Sequence, residues 1–138
     1  MTTQPFKRNI FQRLFGIPAT QPPADAGCWT ISDNQIIIDL NRAQELTHPW
    51  GAIQIDGESM PQKVLVFQDG NGIYRAFHNK CEHIGRKLDP VPGSETLQCC
   101  SIGRSTFDYD GNVLSGLSDK PIKAYPVVTD GDRLIIQI

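Results

Sequence analysis

The sequence predicts an all-β domain built from short antiparallel strands and preceded by a helical arm. Brief runs of β-branched and aromatic residues recur along the chain, and many end at turn signals such as Asp-Gly or Asn-Gly. The 12 glycines and 10 prolines among 138 residues also favour short strands joined by turns over a helical bundle. Together these features indicate an antiparallel β-sandwich or a barrel-like domain.

Residues 1–17 are predicted to form an amphipathic arm, and residues 18–28 a proline-rich linker. Phe6, Phe11 and Phe15 recur near helical spacing, and basic residues occupy much of the remaining segment. A glycine and a proline end the pattern. Because three phenylalanines are costly to leave in water, we expect the arm either to fold back on the domain or to dock on a larger complex.

Residues 29–138 are predicted to form the β domain. A first strand is expected at 35–40, where isoleucines dominate, and a short helical segment at 41–46 with Asn41 as its cap. The remaining expected strands are 52–55, 63–68, 73–77, 96–99, 106–109, 113–114, 124–129 and 133–138. The turn signals that join three hairpins are 69–72, 110–112 and 130–131.

Composition and charge exclude several classes of function. A net charge of −2 favours neither nucleic acid nor an anionic membrane as a partner. No apolar run approaches the roughly 20 residues that a transmembrane helix needs, and no apolar core of a secretory signal follows the basic N-terminus. The spacing of Cys28, Cys81, Cys99 and Cys100 is not that of a disulfide framework. We therefore expect a cytoplasmic protein in which some cysteines bind metal.

Two segments carry metal-ligand chemistry. One reads C-x-H-x-G-x-x-L and contains Cys81, His83, Gly85 and Leu88. The other, CCSIGRSTF, has the Cys, Gly, Ser and Phe of a second motif, C-P-x-H-G-S-x-F, but not its histidine. The pair resembles the Rieske domain, whose [2Fe–2S] cluster is held by two cysteines on one iron and two histidines on the other.

The resemblance extends over roughly residues 35–138 and does not cover the arm. Proline-containing and Asp-Gly segments after the second motif are similar to those of the family. Arg86 and Ile102 stand where respiratory Rieske proteins have cysteines, so a small soluble Rieske-type ferredoxin is the closer comparison. The resemblance implies a Rieske-type sandwich with a small cluster-binding subdomain, and a role in electron transfer to a redox partner protein.

The second motif aligns with the family in two ways. If Cys100 is the ligand, Ser105 matches the family serine and Gly103 takes the position of the missing histidine. If Cys99 is the ligand, Gly103 matches the family glycine and Ile102 takes the histidine position. We favour Cys100, and the second histidine is absent in both alignments.

The resemblance also implies roles around the cluster. Ser105 would donate a hydrogen bond to a cluster sulfur and raise the potential, and Leu88 would cover the site with apolar surface. Cys99 could replace the lost histidine only if a β-bulge turned both adjacent cysteines inward. His78 and His48 are interpreted as structural residues. The fourth ligand stays open.

Three hypotheses follow for the function. The first is an electron-transfer protein or subunit with a variant [2Fe–2S] cluster. The second is a cluster-free binding or regulatory subunit with the same fold, as in the small subunit of some nitrite reductases. The third, less favoured, is a zinc site formed by Cys81, His83, Cys99 and Cys100. No catalytic constellation stands out, so we expect a component of an oxidoreductase system and not an enzyme by itself.

Overall fold

The computed structural model describes residues 20–57, 62–79, 88–99, 105–115 and 121–138. The described residues form twelve strands and two short 3-10 helices, Ala26–Cys28 and Gln44–Thr47. The strands are β1 (Trp29–Ser32), β2 (Gln35–Asp39), β3 (Ala52–Ile55), β4 (Val64–Gln68), β5 (Tyr74–His78), β6 (Leu88–Val91), β7 (Thr96–Cys99), β8 (Thr106–Asp108), β9 (Val113–Ser115), β10 (Ala124–Tyr125), β11 (Val127–Asp130) and β12 (Arg133–Gln137). Across these ranges no helix has the length and apolar character that crossing a membrane requires.

Three four-stranded sheets account for the strands of the described residues. The first sheet has the order β1-β2-β12-β11, the second β10-β5-β4-β3 and the third β6-β7-β8-β9. All neighbouring pairs are antiparallel. The antiparallel β architecture expected from the turn signals is therefore confirmed. The predicted helical arm at residues 1–17 lies outside the described residues and stays a prediction.

Strand β4 lies between two hydrophobic core groups because its side chains alternate. Val64 and Val66 point into a first core group, shared by the first and second sheets, whereas Leu65 and Phe67 point into a second. The second core group consists of Leu65, Phe67, Phe77, Leu88, Leu97, Cys99, Phe107 and Ile122. It therefore packs the third sheet against the second.

The segment 124–129, expected as one strand, forms two strands in different sheets. Ala124 pairs with Phe77 of β5, whereas Val127 pairs with Ile136 of β12. Pro126 lies between them and has no N–H to donate to a ladder, so the chain leaves the second sheet there and joins the first. The single-strand expectation is wrong for this reason.

Two further differences concern local patterns. The expected cap at Asn41 is wrong, because Ala43 occupies the N-cap of the second 3-10 helix and makes no side-chain capping bond. The Asn41 amide donates instead to Asp132 Oδ2 at 3.2 Å. Strand β6 is not predicted by its sequence, because Asp89 and Pro90 interrupt the apolar pattern. Proline is tolerated there since β6 is an edge of the third sheet.

Residues 20 and 21 join two sheet edges. Thr20 N donates to the buried carboxylate of Asp89 in β6 at 2.7 Å. Gln54 of β3 donates from its backbone N to Gln21 O and from Nε2 to Thr20 O, both at 3.0 Å. Part of the segment predicted as a linker therefore lies against the domain.

Asp69 organises the turn between β4 and β5. Its Oδ1 accepts hydrogen bonds from Asn71 N at 2.8 Å and Ile73 N at 3.0 Å, and its Oδ2 accepts one from Arg75 Nε at 3.2 Å. Burial by itself would raise the pKa of Asp69, but these hydrogen bonds outweigh it and lower the pKa below the usual value. The turn therefore contains a buried, ionised carboxylate.

Candidate metal centre

Three of the four candidate ligands lie in two segments outside the described residues, and the fourth, Cys99, is described at the end of β7. Residues 80–87 contain Cys81, His83 and Gly85, and residues 100–104 contain Cys100 and Gly103. The structure does describe the residues that flank both segments, and these fix where each segment begins and ends.

A side-chain hydrogen bond closes the base of the first segment. Asn79 follows β5, and Leu88 begins β6. Asn79 Oδ1 accepts a hydrogen bond from Leu88 N at 2.8 Å, and both residues are buried. Asn79 N donates to Lys63 O at 2.9 Å, which attaches the same residue to the segment before β4. The two ends of residues 80–87 are thus held together by Asn79.

A backbone hydrogen bond closes the base of the second segment. Cys99 N, at the end of β7, donates to Ser105 O at 2.7 Å. Leu88 and Cys99 are cross-strand partners in the β6–β7 pair. The first segment therefore enters the third sheet, and the second segment leaves it, at the same end of that sheet. Their flanking residues lie side by side, which is what two loops need in order to direct donors at one centre.

Cys99 has an apolar environment. Its side chain is 1% exposed and belongs to the second core group, on the same face of β7 as Leu97. Within the described structure, the side chain of Cys99 thus has the environment of a structural cysteine.

Leu88 and Ser105 lie at the base of the site. Leu88 is fully buried and contributes to the second core group, and Ser105 is buried beside the end of β7. The hydrogen bond expected from the Ser105 hydroxyl to a cluster sulfur stays a prediction. The apolar cover expected from Leu88 also stays a prediction, since the surface above it belongs to undescribed residues.

A close backbone contact fixes the chain that enters β10. Gly111 has φ +88°, and its carbonyl accepts a hydrogen bond from Ile122 N at 2.9 Å. A Cβ at this position would lie 2.0 Å from Ile122 O, so only glycine fits. Ile122 is buried in the second core group. The contact anchors residues 121–123, the described part of a proline-containing segment that precedes β10.

The other candidate donors do not gather in the described part of the chain. Across the described ranges, no group of three or more His, Cys, Asp or Glu side chains could hold a metal ion. His78 ends β5, and His48 lies in an exposed loop after the second 3-10 helix. Cys28 is buried in the first core group, where burial raises the pKa of its thiol.

Asn79 was not singled out by sequence patterns. Its partner Leu88 is nine positions away, and only the β5 and β6 strands bring the two together. A polar residue at a strand end just before the first cysteine is the signal that sequence reading could have used.

Comparison with known families decides the assignment. A family model for the Rieske [2Fe-2S] domain matches residues 42–126, which is more than half of the chain. This chain belongs to the Rieske family. A comparison with curated proteins found no significant match.

Solved Rieske structures share the fold. The ferredoxin of carbazole 1,9a-dioxygenase from Nocardioides aromaticivorans IC177 is 23% identical, with a TM-score of 0.56 over 65% of this chain and 86% of that one. The cyanobacterial plasma membrane Rieske protein PetC3 from Synechocystis PCC 6803 is 21% identical, with a TM-score of 0.50 over 62% of this chain and 86% of that one. A complex of reduced oxygenase and oxidised ferredoxin in carbazole 1,9a-dioxygenase contains a chain that is 13% identical, with a TM-score of 0.54 over 64% of this chain and 90% of that one.

Rieske domains bind a [2Fe–2S] cluster, and the donor set of this chain tests whether one fits. Cys81, His83 and Cys100 provide two thiols and one imidazole at Rieske spacing. The adjacent bases at Leu88 and Cys99 are compatible with both segments serving one centre. The two motifs therefore contain counterparts of three of the four donors that hold a Rieske cluster, and this donor set is compatible with the group.

Proposed function

We propose that this chain is an electron-transfer protein, or the electron-transfer subunit of an oxidoreductase system, that carries a variant [2Fe–2S] cluster. The observation that carries the proposal is the shared base of the two motif segments, joined by the Leu88–Cys99 pair. Such a base suits donors from two loops that converge on one cluster. When bound, the cluster supplies one-electron redox chemistry.

Cys81 and Cys100 would hold one iron and His83 the other, with the fourth ligand unassigned. The burial of Cys99 supports Cys100 as the second thiolate, because the Cys99 side chain is packed among the apolar residues of the second core group. Gly85 would provide a tight turn, Gly103 would stand at the position of the missing histidine, and Ser105 would donate a hydrogen bond to sulfur. These roles follow from the match to the family motifs.

Two features of the chain would set the reduction potential of the cluster: the donor side chains and the apolar residues at the base of the site. Two imidazoles raise a Rieske potential to about −150 to +300 mV, against about −400 mV for plant-type ferredoxins. With one imidazole replaced, we expect a potential between these limits. Leu88 and the second core group would exclude water from the inner side of the site.

The partner would be a redox protein, and the N-terminal arm would dock on it. The solved complex of an oxygenase with its ferredoxin is an example of such a pairing within this fold. Phe6, Phe11 and Phe15 on residues 1–17 would form the docking face, residues 18–28 the connection, and residues 29–138 the electron-transfer domain. The cysteine usage favours a cytoplasmic location.

The absent second histidine favours one alternative, a Rieske-fold binding or regulatory subunit without a cluster. Such a protein would retain the sheets and the docking arm while no electron passes through it. Iron content separates the two functions directly.

The test is EPR of anaerobically purified, dithionite-reduced protein, with iron and sulfide counts. We expect about two irons per chain and a rhombic signal. An average g near the ferredoxin type would indicate that Cys99 replaces the histidine. Wild-type protein without iron would overturn the proposal and support the cluster-free subunit.

Two cysteine variants make the test specific. Cys81→Ser should abolish the visible absorption. Cys28→Ser should retain it, because Cys28 lies in the first core group and belongs to neither motif. Retention of the spectrum in Cys81→Ser would refute the ligand assignment.

A further inference from the structure

The base of the first motif segment depends on a single side chain. Asn79 is 2% exposed, and its Oδ1 accepts the hydrogen bond from Leu88 N across the eight intervening residues. Its backbone N is bonded to Lys63 O, so the residue is itself fixed to the second sheet. This contact links the end of β5 to the start of β6 without any residue from the segment between them.

The second segment is closed in a different way. There the hydrogen bond from Cys99 N to Ser105 O joins two backbone groups. Apart from a proline at position 99, no substitution at either residue removes the donor or the acceptor. The first base can therefore be weakened by changing one side chain, and the second cannot. Since Leu88 pairs with Cys99, a change in the position of Leu88 also alters the spacing between the two bases.

We propose that Asn79 is a positioning residue for the cluster: by accepting the Leu88 N–H, it fixes the ends of the segment that carries Cys81 and His83 before any metal binds. This inference rests on the proposed electron-transfer function. It predicts that loss of the Asn79 acceptor loosens the Cys81–His83 ligand pair while the core groups stay intact.

The physical basis is the cost of an unsatisfied buried donor. Without Oδ1, Leu88 N is left buried at the start of β6 and has lost the partner that the structure gives it. A lost partner of this kind shifts a local opening equilibrium by about 5- to 30-fold. A larger open fraction at Leu88 would let the two ends of the segment separate more often, and the metal would be released more readily.

The experiment compares Asn79→Leu, which removes the acceptor, with Asn79→Asp, which keeps it. Gln68→Leu is the control. The Gln68 side chain is likewise bonded to the backbone, but it donates from Nε2 to Leu46 O at 3.2 Å and lies at the other end of β4. The full-length protein as purified is used throughout. Hydrogen exchange by mass spectrometry is followed in the peptide 79–91, together with the EPR line shape and the rate of iron transfer to a chelator.

We expect Asn79→Leu to accelerate exchange in the peptide 79–91 by about 5- to 30-fold, to speed iron transfer by a similar factor and to alter the EPR line shape. Asn79→Asp should restore most of the exchange protection. Gln68→Leu should leave the exchange of this peptide and the EPR line shape at wild-type values.

Two results would overturn the inference: wild-type exchange of the peptide 79–91 in Asn79→Leu, or equal effects of Asn79→Leu and Gln68→Leu on exchange and iron transfer. Absence of iron from the wild-type protein would instead refute the proposed function. In that case the exchange measurement alone still decides whether Asn79 closes the segment.

Discussion

The adjacent cysteines at the end of β7 provide a matched pair of substitutions. Cys99 is 1% exposed in the second core group, where Leu97 and Phe107 are also buried. Cys99→Ala removes one buried sulfur, which is comparable to one buried methylene, plus a small cavity term. The sum is about 1 kcal/mol of unfolding free energy, or about 4 °C in Tm for a domain of this size.

We expect Cys99→Ala to lower the Tm by this amount and to keep its iron, because the side chain fills the core. We expect Cys100→Ala to lose its iron and its visible absorption. Thermal unfolding monitored by circular dichroism gives the Tm, and colorimetric iron assay with absorption spectroscopy gives the cluster content of both variants.

The reasoning is refuted if Cys99→Ala loses iron while Cys100→Ala keeps it. That result would make Cys99 the ligand and would require its side chain to leave the second core group. Loss of iron in both variants would identify both cysteines as ligands, and retention in both would remove them from the site.

Three further predictions follow from the described contacts. Because the pKa of Asp69 is lowered in the folded state, its contribution to stability is present above the unfolded pKa of about 3.9 and is lost as pH falls through the folded pKa. Asp69→Asn should therefore make the unfolding free energy, measured in urea, depend less on pH in the acid range. An unchanged pH dependence would contradict the ionised state of Asp69. Gly111→Ala should lower the Tm far more than Gly72→Ala, because a Cβ at Gly111 lies 2.0 Å from Ile122 O whereas nothing lies within 4 Å at Gly72, and both have positive φ; equal melts would refute the close contact. Deletion of residues 1–17 should leave the unfolding free energy near that of the full chain. Deletion of residues 1–21 should lower it by about 3 kcal/mol, because the three hydrogen bonds of Thr20 and Gln21 are lost. Equal stability of both truncations in urea would show that these bonds contribute nothing.

Sequence patterns predicted the strands whose residues are uniformly apolar or end at a turn signal. Strand β4 is an example, but its sequence does not reveal that Leu65 and Val66 face two different core groups. Strand β6 escaped prediction because Asp89 and Pro90 interrupt its apolar pattern, and the buried Asp89 accepts a hydrogen bond from Thr20 N, 69 positions earlier. Such partners are set by topology and not by local sequence.

The candidate site likewise has a part that the sequence predicts and a part that it does not. The motif residues could be read from the chain, because iron chemistry restricts the choice of donors to few residue types at short spacing. The base could not be read, since Asn79 and Leu88 meet only after β5 and β6 have formed. The pairing of Leu88 with Cys99 likewise depends on the register of β6 and β7.

The two core groups have a consequence for the biogenesis of this protein. Both are assembled from side chains of the strands, the short helices and Ile122, and together they pack all three sheets. We expect a domain with such apolar cores to fold without metal, unlike a zinc finger, which is unfolded without its ion. We therefore expect the apoprotein to fold during synthesis and to receive iron and sulfide afterwards from a delivery system.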